Sequence, residues 1–458
     1  MCKNAIDGKN KSSIQGVIKE MKKKYVLVGT GGRSAMYLEA IAADFKDNAE
    51  ICALCDTNQT RMDHRQKMLL DKYGIGPVPT YKAVDFDKMI EDVKPDTVIV
   101  TSMDRTHHKY ICRAMELGCD VITEKPMTID AEKCQQIIDT KKRTGKNVIV
   151  TFNYRYSPRN TRIKELLKSG IAGQITSVTF EWLLDTSHGA DYFRRWHRNK
   201  NNSGGLLVHK STHHFDLMNW WLDSMPKTVF CMADLKFYGK ENAENRGVTE
   251  FYSRVRGSEI AKKDPFAIRI PEGSLTEQLY YDAEHEDSYY RDQSVFGDGI
   301  SIEDNMNVMV RYENNTVMNY CLYAHAPWEG YRVCFNGTKG RLEFNVVENP
   351  FVNSDIVEDF ATPGMRELMT DKKTMVPEII FQPLWGKPVE FTYEVKNKSG
   401  HGGGDILLLN HIFLGAENDP LGHAAGYIDG AKSILTGIAA NISMKTGQAV
   451  NVKDLVQF

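Results

Sequence analysis

Three histidines and a lysine fall within six residues of GGLLVHKSTHHFDLMNWW, Gly204 to Trp221. Imidazole titrates near neutral pH, so such a cluster suits proton transfer or metal ligation; it is equally the polar decoration of a buried helix. At helical spacing, positions 209 and 213 lie one turn apart on a face that 216 and 220 continue, and Lys210 and His214 are rotated away by about 100°. Two histidines at this spacing are good zinc geometry, with His188, His197 or His401 available as a third ligand. The protease-type motif, however, needs a glutamate directly after the first histidine, and Lys210 stands there.

A second stretch, VGTGGRS at 28–34, has the composition of a phosphate-binding turn. Gly29, Gly31 and Gly32 permit a tight turn whose backbone N–H groups approach a pyrophosphate at a helix N-terminus, and Ser34 replaces the third glycine of the usual fingerprint. Asp56 follows 27 residues beyond Gly29. An acid there accepts hydrogen bonds from an adenosine ribose and repels a ribose phosphate, which favours NAD over NADP. Arg33 and Arg61 keep some room for NADP.

The elements that must position these groups follow from the periodicity. YVLVG (25–29), EICALCD (50–56), DTVIVTS (96–102), DVITE (120–124) and NVIVTF (147–152) are apolar on both sides of the strand period, as strands covered on both faces are. Helix-like segments such as HHKYICRAMELG (107–118) separate them, so the spacing predicts a parallel, doubly wound Rossmann domain over 25–152. Beyond residue 153, ITSVTFEWLL (175–184), MNVMVRY (306–312), TVMNYCLYA (316–324), YRVCFN (331–336) and GRLEFNV (340–346) alternate polar with apolar residues. They predict a large, mostly antiparallel open sheet within an α+β domain spanning 153–458. Residues from about 237 to 304 are polar and poor in core formers and read as an insertion; 426–445 returns to helical periodicity.

With 458 residues the chain exceeds one ordinary core. Charge is balanced, 58 basic against 60 acidic residues, which supplies no basic field for nucleic acid or an anionic membrane. Nine scattered cysteines without a CxxC pair fit reduced thiols, and no apolar run reaches membrane-spanning length. The expectation is a cytoplasmic protein with a small-molecule partner, and residues 1–24 form a leader extension in which Ile14, Val17 and Ile18 could dock on a neighbour.

TEKPMTID (123–130) at a strand end, the glycine turn, TSMDRTHHKY (101–110), FNYRYSP (152–158) and the histidine-rich helix together resemble the Gfo/Idh/MocA family of nicotinamide-dependent sugar and polyol oxidoreductases. The resemblance runs from Tyr25 to the closing helix. It implies NAD at the junction of two domains, a homodimer or homotetramer formed through the open sheet, and a sugar, polyol or glycoside as substrate. Oxidising a secondary alcohol needs a base for the hydroxyl proton and a cation near the oxygen. In the family pattern Lys125 is the motif lysine that polarises the hydroxyl, Pro126 fixes its turn, Glu124 orients the cofactor or the lysine, and Thr101, Asp104 and His107 lie close to the cofactor. The helix of the family carries an aspartate, a histidine four residues later and an acid three beyond; these positions are His209, His213 and Asp216. His213 is therefore the expected general base and His209 a substrate partner or proton relay in place of the aspartate; His214 is a weaker substrate contact or a satisfied core histidine, and Lys210 a sugar-hydroxyl contact or a solvated lysine. The family requires no metal.

Aromatic faces stack on a pyranose and arginine binds hydroxyls or a carboxylate, so Tyr192, Arg195, Trp196 and His197 in DYFRRWHRNKNNSGG (191–205) are sugar-site candidates. Asn153, Tyr154 and Arg155 follow the last Rossmann strand toward the nicotinamide side. His401 in GHGGGD (400–405), and Trp328 and Tyr331 in APWEGYR (326–332), are further candidates for the cleft wall. The leading expectation is NAD-dependent dehydrogenation of a sugar, polyol or glycoside. Behind it stand a redox-neutral glycosidase working by transient ring oxidation and elimination, a non-catalytic sugar or NADP sensor, and a metal-dependent hydrolase.

Overall fold

The computed structural model describes residues 22–352, 378–394, 403–415 and 418–458. Six strands, β1 (Lys23–Val28), β2 (Ala49–Asp56), β3 (Thr80–Lys82), β4 (Thr97–Val100), β5 (Asp120–Thr123) and β6 (Val148–Val150), form one sheet in the order β3-β2-β1-β4-β5-β6. Every pairing in it is parallel. Between them run helices α1 (Ser34–Ala42), α2 (Gln59–Tyr73), α3 (Phe86–Val93), α4 (His107–Glu116) and α5 (Ala131–Thr144). All four residues of β4 are buried, as its uninterrupted Thr-Val-Ile-Val run requires when helices cover both faces. Local chemistry sets the helix ends: the Asn58 side chain accepts the Arg61 N–H to cap α2, and Asp130 accepts the Lys133 N–H to cap α5. Strand order reverses between β1 and β4, which opens a crevice at the C-terminal ends of those strands.

The second sheet has nine strands. In chain order these are β7 (Ile175–Asp185), β8 (Pro226–Asp234), β9 (Asn305–Tyr312), β10 (Val317–Ala326), β11 (Glu329–Gly337), β12 (Gly340–Asn349), β13 (Ile379–Pro383), β14 (Val389–Phe391) and β15 (Val450–Asn451), arranged β14-β13-β12-β11-β7-β10-β9-β8-β15. One pairing departs from the antiparallel expectation, because β7 and β10 run parallel at the centre of the sheet. A parallel pair needs a crossover, and here everything from the Thr186–Arg194 helix through β9 makes it. Along β9 burial alternates strictly, so one face is open and the other buried; the neighbouring β8 packs on the helix Tyr427–Thr446, which packs in turn on the helix Ser211–Leu222. These two helices and the turn before them approach closely: a Cβ on Gly437 would stand 2.1 Å from the Leu207 carbonyl oxygen.

Residues 237–304 form short turns of helix and irregular backbone, yet they bury Tyr238, Leu279, Val295 and Ile302. Polarity hid this, since the segment is held by buried polar contacts such as Asp304, whose carboxylate accepts the N–H groups of Lys236, Phe237 and Tyr238. Leader residues 1–21 and His401 lie outside the described residues. Among the described residues no helix is long and apolar enough to cross a membrane.

Candidate active site

The glycine turn is built for close approach. Gly29 has φ +94°, and a Cβ on it would stand 2.6 Å from the Ser102 backbone nitrogen, so only glycine lets the end of β1 touch the loop after β4. Thr101 donates its hydroxyl to the Gly29 carbonyl at 2.5 Å, and the Ser34 hydroxyl donates to the Gly31 carbonyl at 2.7 Å. Arg65, buried on α2, donates to the Gly31 carbonyl at 2.7 Å. The carbonyls of the turn are thus tied back into the protein, the Gly29 and Thr30 N–H groups donate to the Cys55 carbonyl and Asp56, and the Gly32 N–H points to the Tyr280 hydroxyl at the α1 N-terminus, the place where a pyrophosphate fits. Asp56 accepts from the Thr30 N–H at 2.5 Å, the Thr30 hydroxyl at 2.8 Å and the Asn58 N–H at 3.0 Å, which fixes the acid at the end of β2.

Across the crevice, the residues after β4 and β5 form a charged cluster. Arg33 reaches over the glycine turn to Glu124 at 2.6 Å, and the Tyr37 hydroxyl donates to the same carboxylate oxygen at 2.8 Å. Burial alone would raise the Glu124 pKa; the Arg33 guanidinium, the Lys125 ammonium and the Tyr37 hydroxyl together outweigh it and hold the carboxyl below its ordinary range. A cis peptide joins Lys125 to Pro126. His107 places its two ring nitrogens 2.8 and 2.9 Å from the carbonyl oxygens of Pro126 and Ser102. Burial keeps the ring neutral, so it donates to one of these two carbonyls, and His107 lies between the two loops.

Next to Lys125, His209 Nδ1 lies 2.5 Å from Asp104 Oδ2, and the Lys125 ammonium donates to the His209 carbonyl at 3.4 Å. Burial pulls the Lys125 pKa down to about 8, against the raising influence of Asp104 and Glu124. His209 is driven well below its ordinary value, by burial first and then by Lys125, Arg195 and Lys210. The carboxylate missing at position 209 is thus supplied from Asp104, 105 residues earlier in the chain. An aromatic wall continues from His209: His197 has its ring centroid 4.2 Å away, Tyr192 5.6 Å and Trp196 5.8 Å, with Trp196 stacked on His197 at 3.6 Å. Arg195 is tied to Asp191 at 2.8 Å.

His213 lies edge-on to Tyr154, 4.8 Å between centroids, and to Phe152 at 6.2 Å. The Lys210 ammonium sits over Trp182 at 5.2 Å and Tyr154 at 5.9 Å, so the expected rotation away from the histidine face does not carry it to solvent. The helix itself is interrupted at Lys210, between Leu206–His209 and Ser211–Leu222.

Three expected substrate contacts are placed elsewhere. Arg155 is buried in a two-pronged pair with Asp216, at 2.6 and 2.7 Å, and also meets Asp429 at 3.0 Å, so its charge is spent inside the protein. His214 is fully buried, stacked on Trp182 at 3.8 Å with Nδ1 2.6 Å from the Tyr320 hydroxyl. It is a core histidine. Asn153 donates to Asp405 at 2.7 Å from a buried position. Tyr331 likewise belongs to the core, stacked on Trp182 at 4.3 Å, while Trp328 lies under Arg332 in the β10–β11 connection. His188 is held between Glu329 at 2.7 Å and the Tyr192 hydroxyl at 3.1 Å, which takes it out of the metal scheme. Among the described residues no three His, Cys, Asp or Glu side chains are grouped to hold a metal ion.

The comparisons follow this architecture. Residues 23–152 match the NAD-binding Rossmann fold of an oxidoreductase family and residues 164–452 its C-terminal alpha/beta domain, the Gfo/Idh/MocA pair. The protein YteT of Bacillus subtilis (strain 168) is 35% identical over 456 residues, covering 95% of this chain and 99% of that one. The chain belongs to the Gfo/Idh/MocA oxidoreductase family. D-glucoside 3-dehydrogenase of Escherichia coli (strain K12) is 31% identical over 134 residues, 29% of this chain and 36% of that one. The fold is shared with the WlbA dehydrogenase of Bordetella pertussis, solved with NADH and UDP-GlcNAcA: TM-score 0.61, 15% identity, 94% of this chain and 99% of that one.

As a member of this family the chain is an oxidoreductase with an NAD-binding Rossmann domain, and its glycine cradle fits that cofactor. Sequence reasoning missed one segment that the structure brings beside the glycine turn. The segment Leu279–Arg291, inside the polar insertion, lies against the glycine turn and the start of α2. Its run LYYDAEHEDSYYR carries the tyrosines and acids that make those contacts, but nothing local says which surface they meet. Arg65 was also missed; its spacing of four from Arg61 on one helix face was the available signal.

Proposed function

We propose that the protein oxidises a secondary hydroxyl of a sugar, polyol or glycoside with NAD, using Lys125, His209 and Asp104. The observation that carries this reading is the meeting of those three side chains beside the β1/β4 crevice, where the cofactor crevice of this fold lies. When bound there, the nicotinamide supplies the two-electron acceptor. Lys125, with its pKa drawn toward neutrality, donates a hydrogen bond to the substrate oxygen and stabilises the negative charge that develops as the proton leaves. One proton lies between Asp104 and His209. With it on Nδ1, the Nε2 lone pair accepts the hydroxyl proton and Asp104 steadies the resulting imidazolium.

The base role thus moves in our proposal from His213 to His209, because the orienting carboxylate is at His209; His213 and Tyr154 wall the pocket beside it. Tyr192, Trp196 and His197 offer the ring faces on which a pyranose would stack. Engagement of Arg61 with the Asp287 carboxylate at 2.6 Å supports NAD over NADP, since the guanidinium that would take a 2′-phosphate is already paired. The test is mass spectrometry of products after incubation with NAD and a panel of free sugars, inositols and aryl glycosides, with NADH followed in the same samples. A product lighter by two hydrogens and matched by NADH supports the reading. Free sugar and aglycone without NADH would replace it with the redox-neutral glycosidase.

A further inference from the structure

Five residues of the Leu279–Arg291 segment bind it to the nucleotide half of the Rossmann crevice. The Tyr280 hydroxyl accepts the Gly32 N–H at 3.3 Å, and it lies 3.9 Å from where a Cβ on Gly31 would stand. It therefore sits against the cradle that the pyrophosphate uses. Glu286 accepts the N–H groups of Gln59 and Thr60 and the Thr60 hydroxyl, each at 2.7 Å, and pairs with Lys82 at 2.9 Å. This puts a carboxylate on the N-terminus of α2, directly after the acid that faces the ribose. Asp287 pairs with Arg61 at 2.6 Å, the Asn58 amide donates to the Ala283 carbonyl at 2.9 Å, and Arg61 Nε donates to the Leu279 carbonyl at 2.9 Å. At the far end, Arg291 is 1% exposed, its guanidinium lies 5.2 Å from the Tyr280 ring and its Nη2 pairs with Asp191 at 3.5 Å, while its Nε and Nη1 have no hydrogen-bond partner among the described residues. Asp191 supplies the counter-charge that a buried guanidinium requires, and the pair anchors this end of the segment on the Thr186–Arg194 helix.

We propose that this segment of the second domain is a strap that forms the outer wall of the nucleotide site and retains the dinucleotide between turnovers, with Tyr280 against the pyrophosphate and Glu286 and Asp287 as the latch on α2. The proposal rests on the crevice between β1 and β4 being the NAD site. Exchange of the cofactor then requires the latch to open, which breaks several charge-assisted hydrogen bonds together. The latch touches no group of the Lys125, Asp104 and His209 cluster, so retention is separable from chemistry.

The experiment loads the full chain with NADH, mixes it with excess NAD and follows loss of bound-NADH fluorescence. We expect release well below the roughly 10 s⁻¹ of a median turnover number, and release at least about tenfold faster in Glu286→Ala/Asp287→Ala, the factor for removing about one net charged contact from the closed state. In the unmodified chain, amide hydrogen exchange over residues 280–291 should slow when NADH binds. This second readout stands even if the double variant folds poorly. Wild-type release at about 10 s⁻¹ or faster, unchanged release in a folded double variant, or unchanged exchange over 280–291 would each overturn the strap while leaving the cofactor site intact. Failure of NADH to bind the wild type at all would overturn the cofactor site as well.

Discussion

Replacing Asp104 by asparagine keeps the shape of the buried side chain and removes its charge, which isolates what the carboxylate does. Two effects follow from its position 2.5 Å from His209 Nδ1. The neutral amide can donate to Nδ1 as readily as accept from it, so the tautomer with a vacant Nε2 is no longer enforced. The imidazolium formed on proton transfer also loses its counter-charge in a buried site. General-base contributions run to about 10² to 10⁴ in rate, so a loss of about 10³ in kcat/KM is expected, or about 4 kcal/mol at 1.36 kcal/mol per tenfold. There is a third, directional effect: the Asp104 charge raises the Lys125 pKa, so removing it moves that pKa below about 8 and shifts the alkaline limb of the pH profile toward acid. The assay is kcat/KM against pH for the variant and the wild type, with NADH affinity measured alongside. A variant within about threefold of wild type, with an unmoved alkaline limb, would refute the assignment.

Three further substitutions test the surrounding structure. Gly29→Ala should abolish NADH binding, since φ +94° and a Cβ 2.6 Å from the Ser102 nitrogen leave no room for it; titration of NADH fluorescence checks this. Arg155→Met should cost roughly 3 to 5 kcal/mol in chemical denaturation by stripping the buried Asp216 of its partner, with NADH affinity in the residual folded protein unchanged. Glu124→Gln should destabilise by roughly 3 kcal/mol at neutral pH. The folded Glu124 pKa lies below its ordinary 4.5, so this stabilisation is present above about 4.5 and lost as pH falls through the lowered value. Denaturation of wild type and variant should therefore converge in acid, and parallel curves would contradict the pairing.

Local patterns carried the parts of this account that depend on a few consecutive residues. The glycine turn, the acid ending β2 and Lys125 after β5 were legible because strand, turn and helix signals surround each of them in the sequence. The Asp104–His209 pair was not, although both residues were singled out, because nothing in either segment indicates that the loop after β4 meets a helix 105 residues later. Arg155 and His214 were misassigned for the same reason. A cationic or imidazole side chain near a cleft looks functional until its distant partners, Asp216 and Asp429 or Trp182 and Tyr320, are in place. Alternating strands gave the second sheet, but alternation is blind to direction, so the parallel β7–β10 pair needed the crossover to be seen. The strap was hidden most completely, since a polar segment satisfied by another domain has the composition of a solvated loop.

On the proposed mechanism, Lys125 and the Asp104–His209 pair drive oxidation of a bound secondary alcohol by NAD. Its most direct test is a single-turnover measurement, in which protein loaded with NAD is mixed rapidly with the substrate found in the sugar panel and the absorbance of reduced nicotinamide is followed in wild type and Lys125→Met. The account predicts a reduced-nicotinamide signal of up to one per chain in the wild type, and a rate at least about 10² lower in the variant with cofactor still bound. Reduction at the wild-type rate without the Lys125 ammonium would contradict it.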